Sequence, residues 1–248
     1  MMYSFLLIGQ SNMAGRGFAE EALPVDTSRI FVTRNCRWWP FYRPANPDRK
    51  TAGVNLAERF AERFCEKYNS DVGLICCADG GSRLDQWKKG EVLFENAVFH
   101  AKMAQRSSQI LGILWHQGES DCGDDLRFTY RERFETFVRD FREATGLWDV
   151  PFLVGGLGDF LSVCQVSPSL KNYATINEAL RSVADSDPRM AFVSAEGLGA
   201  NPDNLHFSAT ALYEFGSRYF DAFEALFDPA DLTGSFPTAA APSHMEHL

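Results

Sequence analysis

Apolar residues fall into two patterns along the chain: short unbroken runs, and longer stretches with helical spacing. Runs at 3–8, 72–78, 110–115, 152–157 and 190–194 have the length expected of strands buried on both faces. Between them, 55–68 sets Leu56, Phe60 and Phe64 at four-residue spacing on one helical face. Residues 124–144 repeat that spacing with Tyr130, Phe134, Phe137, Val138 and Phe141, and then reach Gly146, which suits a left-handed C′ position. Helices are also predicted over 169–184 and 208–227, the second opening on Ser208 as N-cap. Five strands alternating with helices predict an α/β fold, a parallel sheet covered on both faces. Ligands of such sheets bind beyond the carboxyl ends of the strands, near the switch in strand order. The stretch 29–51, rich in Pro, Arg and Trp, reads as a long loop over that end. A single domain is expected over 1–228, followed by a flexible Pro/Ala/Ser/Thr-rich tail over 229–248.

Composition narrows the partners. The 248 residues are 45% hydrophobic, enough for one substantial core. The formal net charge of −9 repels phosphate backbones and anionic lipid surfaces, so neither nucleic acid nor a membrane is expected as a partner. No apolar run is long enough to span a bilayer. The amino-terminal run has no basic segment before it and leads straight into a polar motif, so it reads as a strand and not as a signal peptide. The six cysteines follow no framework spacing, which points to free thiols and a cytoplasmic protein; a secretory chain trimmed of its leader would look the same.

Four polar clusters sit where predicted strands end or helices begin. The first is Gly9-Gln10-Ser11-Asn12-Met13, a serine just past a buried strand in a turn that could present its hydroxyl to a cleft. Taken alone it is better read as a helix cap. The second, Asp79-Gly80-Gly81-Ser82-Arg83, has two glycines that could turn a backbone N–H into the same cleft. The third, Trp115-His116-Gln117-Gly118-Glu119-Ser120-Asp121, is too sparse in ligands at clear spacing for a metal. The fourth, Asp203-Asn204-Leu205-His206, puts a carboxylate and an imidazole three residues apart in one turn, where the first can orient the second as a base. A parallel sheet brings these boundaries together, and nucleophile, oxyanion donors and oriented base are the parts of an acyl-transfer site.

In that order the four blocks resemble the SGNH (GDSL-like) hydrolase superfamily. Gly-Gln-Ser-Asn-Met at 9–13 and Trp-His-Gln-Gly-Glu-Ser-Asp at 115–121 are similar to the sialate O-acetylesterase and acetylxylan esterase branch, including carbohydrate esterase family 6. The resemblance spans about residues 3–226. It implies a flavodoxin-like three-layer α/β/α sandwich with a five-stranded parallel sheet, and cofactor-free removal of acetyl groups from small acetylated carbohydrates. Carried over, it makes Ser11 the nucleophile, His206 the base and Asp203 its acid partner, with Glu119 as the alternative acid. The oxyanion hole would comprise the Ser11 N–H, an N–H from Gly80 or Gly81, and the Gln117 amide.

Substrate contacts are less legible. Trp38 and Trp87, with Trp39 and Tyr42, offer flat surfaces for sugar rings, and Arg16, Arg83 and Arg37 could meet a carboxylate. Two rivals remain at this level. One is a carbohydrate-binding protein that keeps the fold without turnover. The other is a nucleotide enzyme suggested by Gly155-Gly156-Leu157-Gly158, although that run lacks the full dinucleotide pattern.

Overall fold

The computed structural model describes residues 2–232. Its centre is β1 (Met2–Gly9), which pairs in parallel with β4 (Val72–Cys76) on one side and β5 (Ser108–His116) on the other. Beyond β5 lie β6 (Phe152–Gly155) and β7 (Met190–Val193), both parallel. Strand order therefore reverses beside β1, and the chain segments leaving β1, β4 and β5 open onto that crevice.

Successive β1 side chains enter different cores, as the two-residue period of a strand requires. Tyr3, Phe5 and Leu7 pack with α2 (Ala57–Tyr68) and α7 (Ala209–Leu226), where the Phe5 ring meets Phe60, Phe64 and Phe223 edge-on at 4.7–5.1 Å. Leu6 and Ile8 pack with α3 (Val92–Ala104), α5 (Tyr130–Thr145) and α6 (Tyr173–Asp185). Each expected helix forms within a few residues. Gly146 takes the left-handed C-cap of α5 at φ 74°, and Ser208 accepts the Ala211 N–H at the start of α7. The region expected as one helix over 124–144 is broken into α4 (Asp124–Arg127) and α5.

The sheet has seven strands, not five. The stretch expected as a loop contains β2 (Ile30–Arg34), parallel to β4, and β3 (Arg37–Pro40), antiparallel to β2 at the edge. Ile30 and Val32 face the core, and Asn35 and Cys36 take φ of 46° and 60°, as a two-residue hairpin turn requires. Helix α3 has no counterpart among the predicted elements. It carries Val92 and Phe99 on its solvent side, so its apolar positions do not single out one face.

All six cysteines are free, and burial pushes the Cys65 and Cys76 thiols up to about 12. Among the described residues no helix is long and apolar enough to cross a membrane. Of the expected tail, Pro229–Asp231 forms a single 3₁₀ turn, and 233–248 lie outside the described residues.

Candidate active site

Gly9 brings β1 to its end against β5. A Cβ there would lie 2.1 Å from the His116 carbonyl oxygen, and φ is +133°, so glycine alone fits. The next two residues enter α1 (Ser11–Ala14), which places Ser11 at the carboxyl edge of the sheet, nearly buried. Its Oγ is 3.1 Å from His206 Nε2, 195 residues away. His206 Nδ1 donates to Asp203 Oδ2 at 2.7 Å, which leaves Nε2 as the acceptor facing the serine hydroxyl. The second Asp203 oxygen, Oδ1, takes the backbone N–H groups of Leu205 and His206 at 2.9 and 3.0 Å. Partial burial works against the Asp203 charge, but those two N–H groups and the imidazole outweigh it and hold its carboxyl below the usual range.

Glu119, the alternative acid, makes no hydrogen bond to His206. Its Oε1 accepts from Asn12 Nδ2 at 2.5 Å and lies 3.1 Å from His116 Nε2. Burial would raise its pKa, yet His116, Asn12 and its own backbone N–H together bring it below the usual value.

The two adjacent glycines differ. The Gly80 N–H donates to Asp48 Oδ2 at 2.7 Å, and a Cβ on Gly80 would strike Arg16 Nη2 at 2.5 Å. Gly81, at φ +78°, lines the pocket beside Ser11, and its N–H has no acceptor among the described residues. The Ser11 N–H likewise has none. Three side chains of the segment after β3 fasten this turn. Asn46 exchanges two hydrogen bonds with the Ala78 backbone, Asp48 takes the Gly80 N–H, and Arg49 reaches Asp79 and the Gly80 carbonyl. In the sequence these three are legible only as part of a loop. Nothing in their spacing ties them to Ala78–Gly80.

Gln117 departs from expectation. It is fully buried behind the pocket wall. Its Nε2 donates to Asp121 Oδ2 at 2.7 Å, with Ser82 O and Gln10 Oε1 at 3.1 and 3.2 Å, and its Oε1 accepts from Tyr130 OH at 2.8 Å. An amide held on all sides in this way has no N–H left for a substrate oxygen.

The pocket encloses about 520 Å³, a size suited to a small sugar. Ser11, His206 and Gly81 line it together with apolar Val166, Leu170 and Leu205. Arg16, Arg49 and Arg83 all reach it. Arg16 is engaged by a bidentate ion pair with Asp48 and by the Gly15 carbonyl, while exposed Arg49 pairs with Asp79. Arg83 has no ion-pair partner among the described residues. The expected aromatic platform is absent at two positions. Trp87 is fully buried against Trp115 and Phe137, and Trp38 lies over Gly73 with its Nε1 on Ser107, at the other end of the sheet. The Trp87 ring fills interior space that a sugar cannot reach, and Trp38 is half-buried on the edge strand away from the pocket. Among the described residues no group of three or more His, Cys, Asp or Glu is placed to hold a metal ion.

The chain is similar to known proteins over most of its length. A probable carbohydrate esterase of Arabidopsis thaliana is 26% identical over an alignment 249 positions long that covers 88% of this chain and 89% of the relative. A solved Arabidopsis thaliana protein superposes with a TM-score of 0.79 at 24% identity, over 90% of this chain and 98% of that one. The solved NanS gives a TM-score of 0.68 at 17% identity, covering 90% and 97%. A carbohydrate acetylesterase from Xanthomonas citri gives 0.66 at 18%, over 90% of this chain and 56% of that one. The model of a family described as carbohydrate esterase, sialic acid-specific acetylesterase, matches residues 2–225. With nearly the whole described fold inside that match, the chain belongs to the sialic acid-specific acetylesterase family of carbohydrate esterases and is a carboxylic-ester hydrolase.

Proposed function

We propose that this chain is a serine carbohydrate O-acetylesterase working through an acetyl-serine intermediate. The observation that carries the reading is the continuous hydrogen-bonded path from Ser11 Oγ through His206 to Asp203, with Ser11 and His206 lining a sugar-sized pocket. Ser11 Oγ attacks the acetyl carbonyl carbon as its proton passes to His206 Nε2. The carbonyl electron pair moves onto oxygen, toward the Ser11 and Gly81 N–H groups, each preorganised donor lowering the barrier by about 3 kcal/mol. When the carbonyl reforms, the ester C–O bond breaks and the sugar oxygen takes the proton from His206. Water then repeats the sequence on the acetyl-serine, releasing acetate and restoring the Ser11 hydroxyl.

The substrate class we favour is an acetylated sugar bearing a carboxylate, such as a sialic acid. Arg83, a cation on the pocket wall without an ion-pair partner among the described residues, supports this, with Arg49 beside it. The test is acetate release from acetylated sialic acids and from neutral acetylated xylosides, with Ser11→Ala as control. Ser11→Ala should lose turnover on every ester. Arg83→Ala should raise KM for the sialates about tenfold or more and leave the neutral esters unchanged. Equal effects on both groups would reject the carboxylate reading. Wild-type turnover in Ser11→Ala would reject the serine mechanism.

A further inference from the structure

We infer that the side-chain amide of Gln10, and not that of Gln117, is the third donor to the acyl oxyanion. The inference rests on the esterase reading above and concerns the pocket that holds Ser11. Gln10 immediately precedes Ser11 and is only 3% exposed, yet it lines the pocket. Its Oε1 lies within reach of three N–H donors: Gly118 N at 3.2 Å, Gln117 Nε2 at 3.2 Å and Ser120 N at 3.4 Å. Those donors fix which way the amide is turned, because a flipped amide would set N–H against N–H. The Nε2 is therefore on the other side of the group, and it has no hydrogen-bond partner among the described residues. Nor is it one of the orphaned polar atoms sealed in the core. Two N–H bonds in a side chain that is otherwise buried and clamped thus open into the cavity where the substrate carbonyl must sit.

Gln117 becomes the support for this donor. It holds Gln10 Oε1 from behind and is itself held by Tyr130 and Asp121. Gln10, Ser11 and Gly81 all line the pocket, so Gln10 Nε2 joins the Ser11 and Gly81 N–H groups as a donor there. An oxygen that becomes an anion needs donors already in place, and a clamped amide meets that condition.

The test is Gln10→Glu. Glutamate keeps an oxygen for the Gly118 and Ser120 N–H groups, so the loop after β5 retains its anchor, but it replaces the donor with a second acceptor. If Gln10 faces the oxyanion, kcat for p-nitrophenyl acetate falls by about 10²–10³-fold or more while KM stays within about threefold. A kcat within about threefold of wild type overturns the proposal. A second measurement needs no variant: a structure of wild-type protein phosphonylated on Ser11. The phosphonyl oxygen should lie within hydrogen-bond distance of Gln10 Nε2; an oxygen bonded to Gln117 Nε2 instead overturns the assignment. A wild-type chain that neither hydrolyses acetyl esters nor is labelled at Ser11 would bring down the esterase reading itself, and this proposal with it. Turnover with an unaffected Gln10→Glu would bring down the Gln10 assignment alone.

Discussion

Asn12 Nδ2 donates to Glu119 Oε1 at 2.5 Å, and this bond links a buried carboxylate to the turn that carries His206 without touching the imidazole. The same Nδ2 donates to the Leu205 carbonyl, and Asn12 Oδ1 accepts the Phe207 N–H. One amide thus clasps the backbone on both sides of His206. Glu119 fixes the orientation of that amide, and His116 backs Glu119 from inside the sheet.

Asn12 should therefore behave as a positioning residue. Asn12→Ala leaves the buried Phe207 N–H and part of Glu119 unsatisfied, at a cost of about 1–3 kcal/mol in stability. It also frees the His206 turn, so kcat should fall by about tenfold or more with KM little changed. Asn12→Asp should be worse, since it keeps the acceptor for Phe207 but opposes two carboxylates. Steady-state kinetics beside thermal melting would check this. An Asn12→Asp variant as active and stable as Asn12→Ala would contradict it.

The two acids should separate by pH and by type of damage. Both Glu119 and Asp203 are held below the usual carboxylate range in the folded chain. Such groups add stability that is fully present above their unfolded values, about 4, and lost as pH falls through the lowered folded values. Melting temperature should accordingly drop steeply below about pH 4, and less steeply in Glu119→Gln, which has no charge to lose. Asp203→Asn should instead remain folded but lose about 10³–10⁴-fold in kcat, because His206 no longer has its tautomer fixed. A Glu119→Gln variant that matched Asp203→Asn in catalytic loss while melting like wild type would reverse this division.

Much of this site is legible in the sequence, because its parts lie within contiguous blocks. Ser11 follows a buried run, Asp203 and His206 share a turn, and Gly81 follows the second expected strand. Direction and long-range pairing are not legible there. Gln10 and Gln117 are chemically alike, and only packing shows one clamped beside Ser11 and the other enclosed behind it. Asn46, Asp48 and Arg49 meet Ala78–Gly80 only because β2 pairs with β4, and the Arg/Trp-rich composition hides that hairpin. The fold class is legible for a related reason: the five runs expected as strands hold most of the buried strand positions, whereas β3 is largely exposed.

Asp48 ties that hairpin segment to the chemistry. Its carboxylate holds the Arg16 guanidinium at 2.7 Å and the Gly80 N–H at 2.7 Å, and both side chains of the pair are nearly buried. Asp48→Ala would strand a buried guanidinium, and breaking such pairs costs about 3–5 kcal/mol. The neighbouring Gly81 N–H would also lose its fixed direction, so activity in the remaining folded protein should fall as well. Denaturant unfolding with kinetics at low temperature would check both. A loss of stability with undiminished kcat would show that the Gly80–Gly81 turn holds itself.

Trp87 offers the converse case, an aromatic residue near the site whose role is packing. Its ring is enclosed by Trp115 and Phe137, and its Nε1 donates to Ser82 Oγ at 3.1 Å. Ser82 in turn follows Gly81, so the indole supports the far side of the Gly80–Gly81 turn. Trp87→Ala should cost about 3–5 kcal/mol through the cavity it leaves. Trp87→Phe keeps most of the volume but leaves the Ser82 hydroxyl without its donor, so a smaller loss of about 1–2 kcal/mol is expected. Neither change removes a surface that a sugar could touch. KM for acetylated sugars should therefore be the same in Trp87→Phe as in wild type, measured well below the melting transition. A rise in KM confined to sugar esters, with p-nitrophenyl acetate unaffected, would restore Trp87 to the substrate site and contradict its burial.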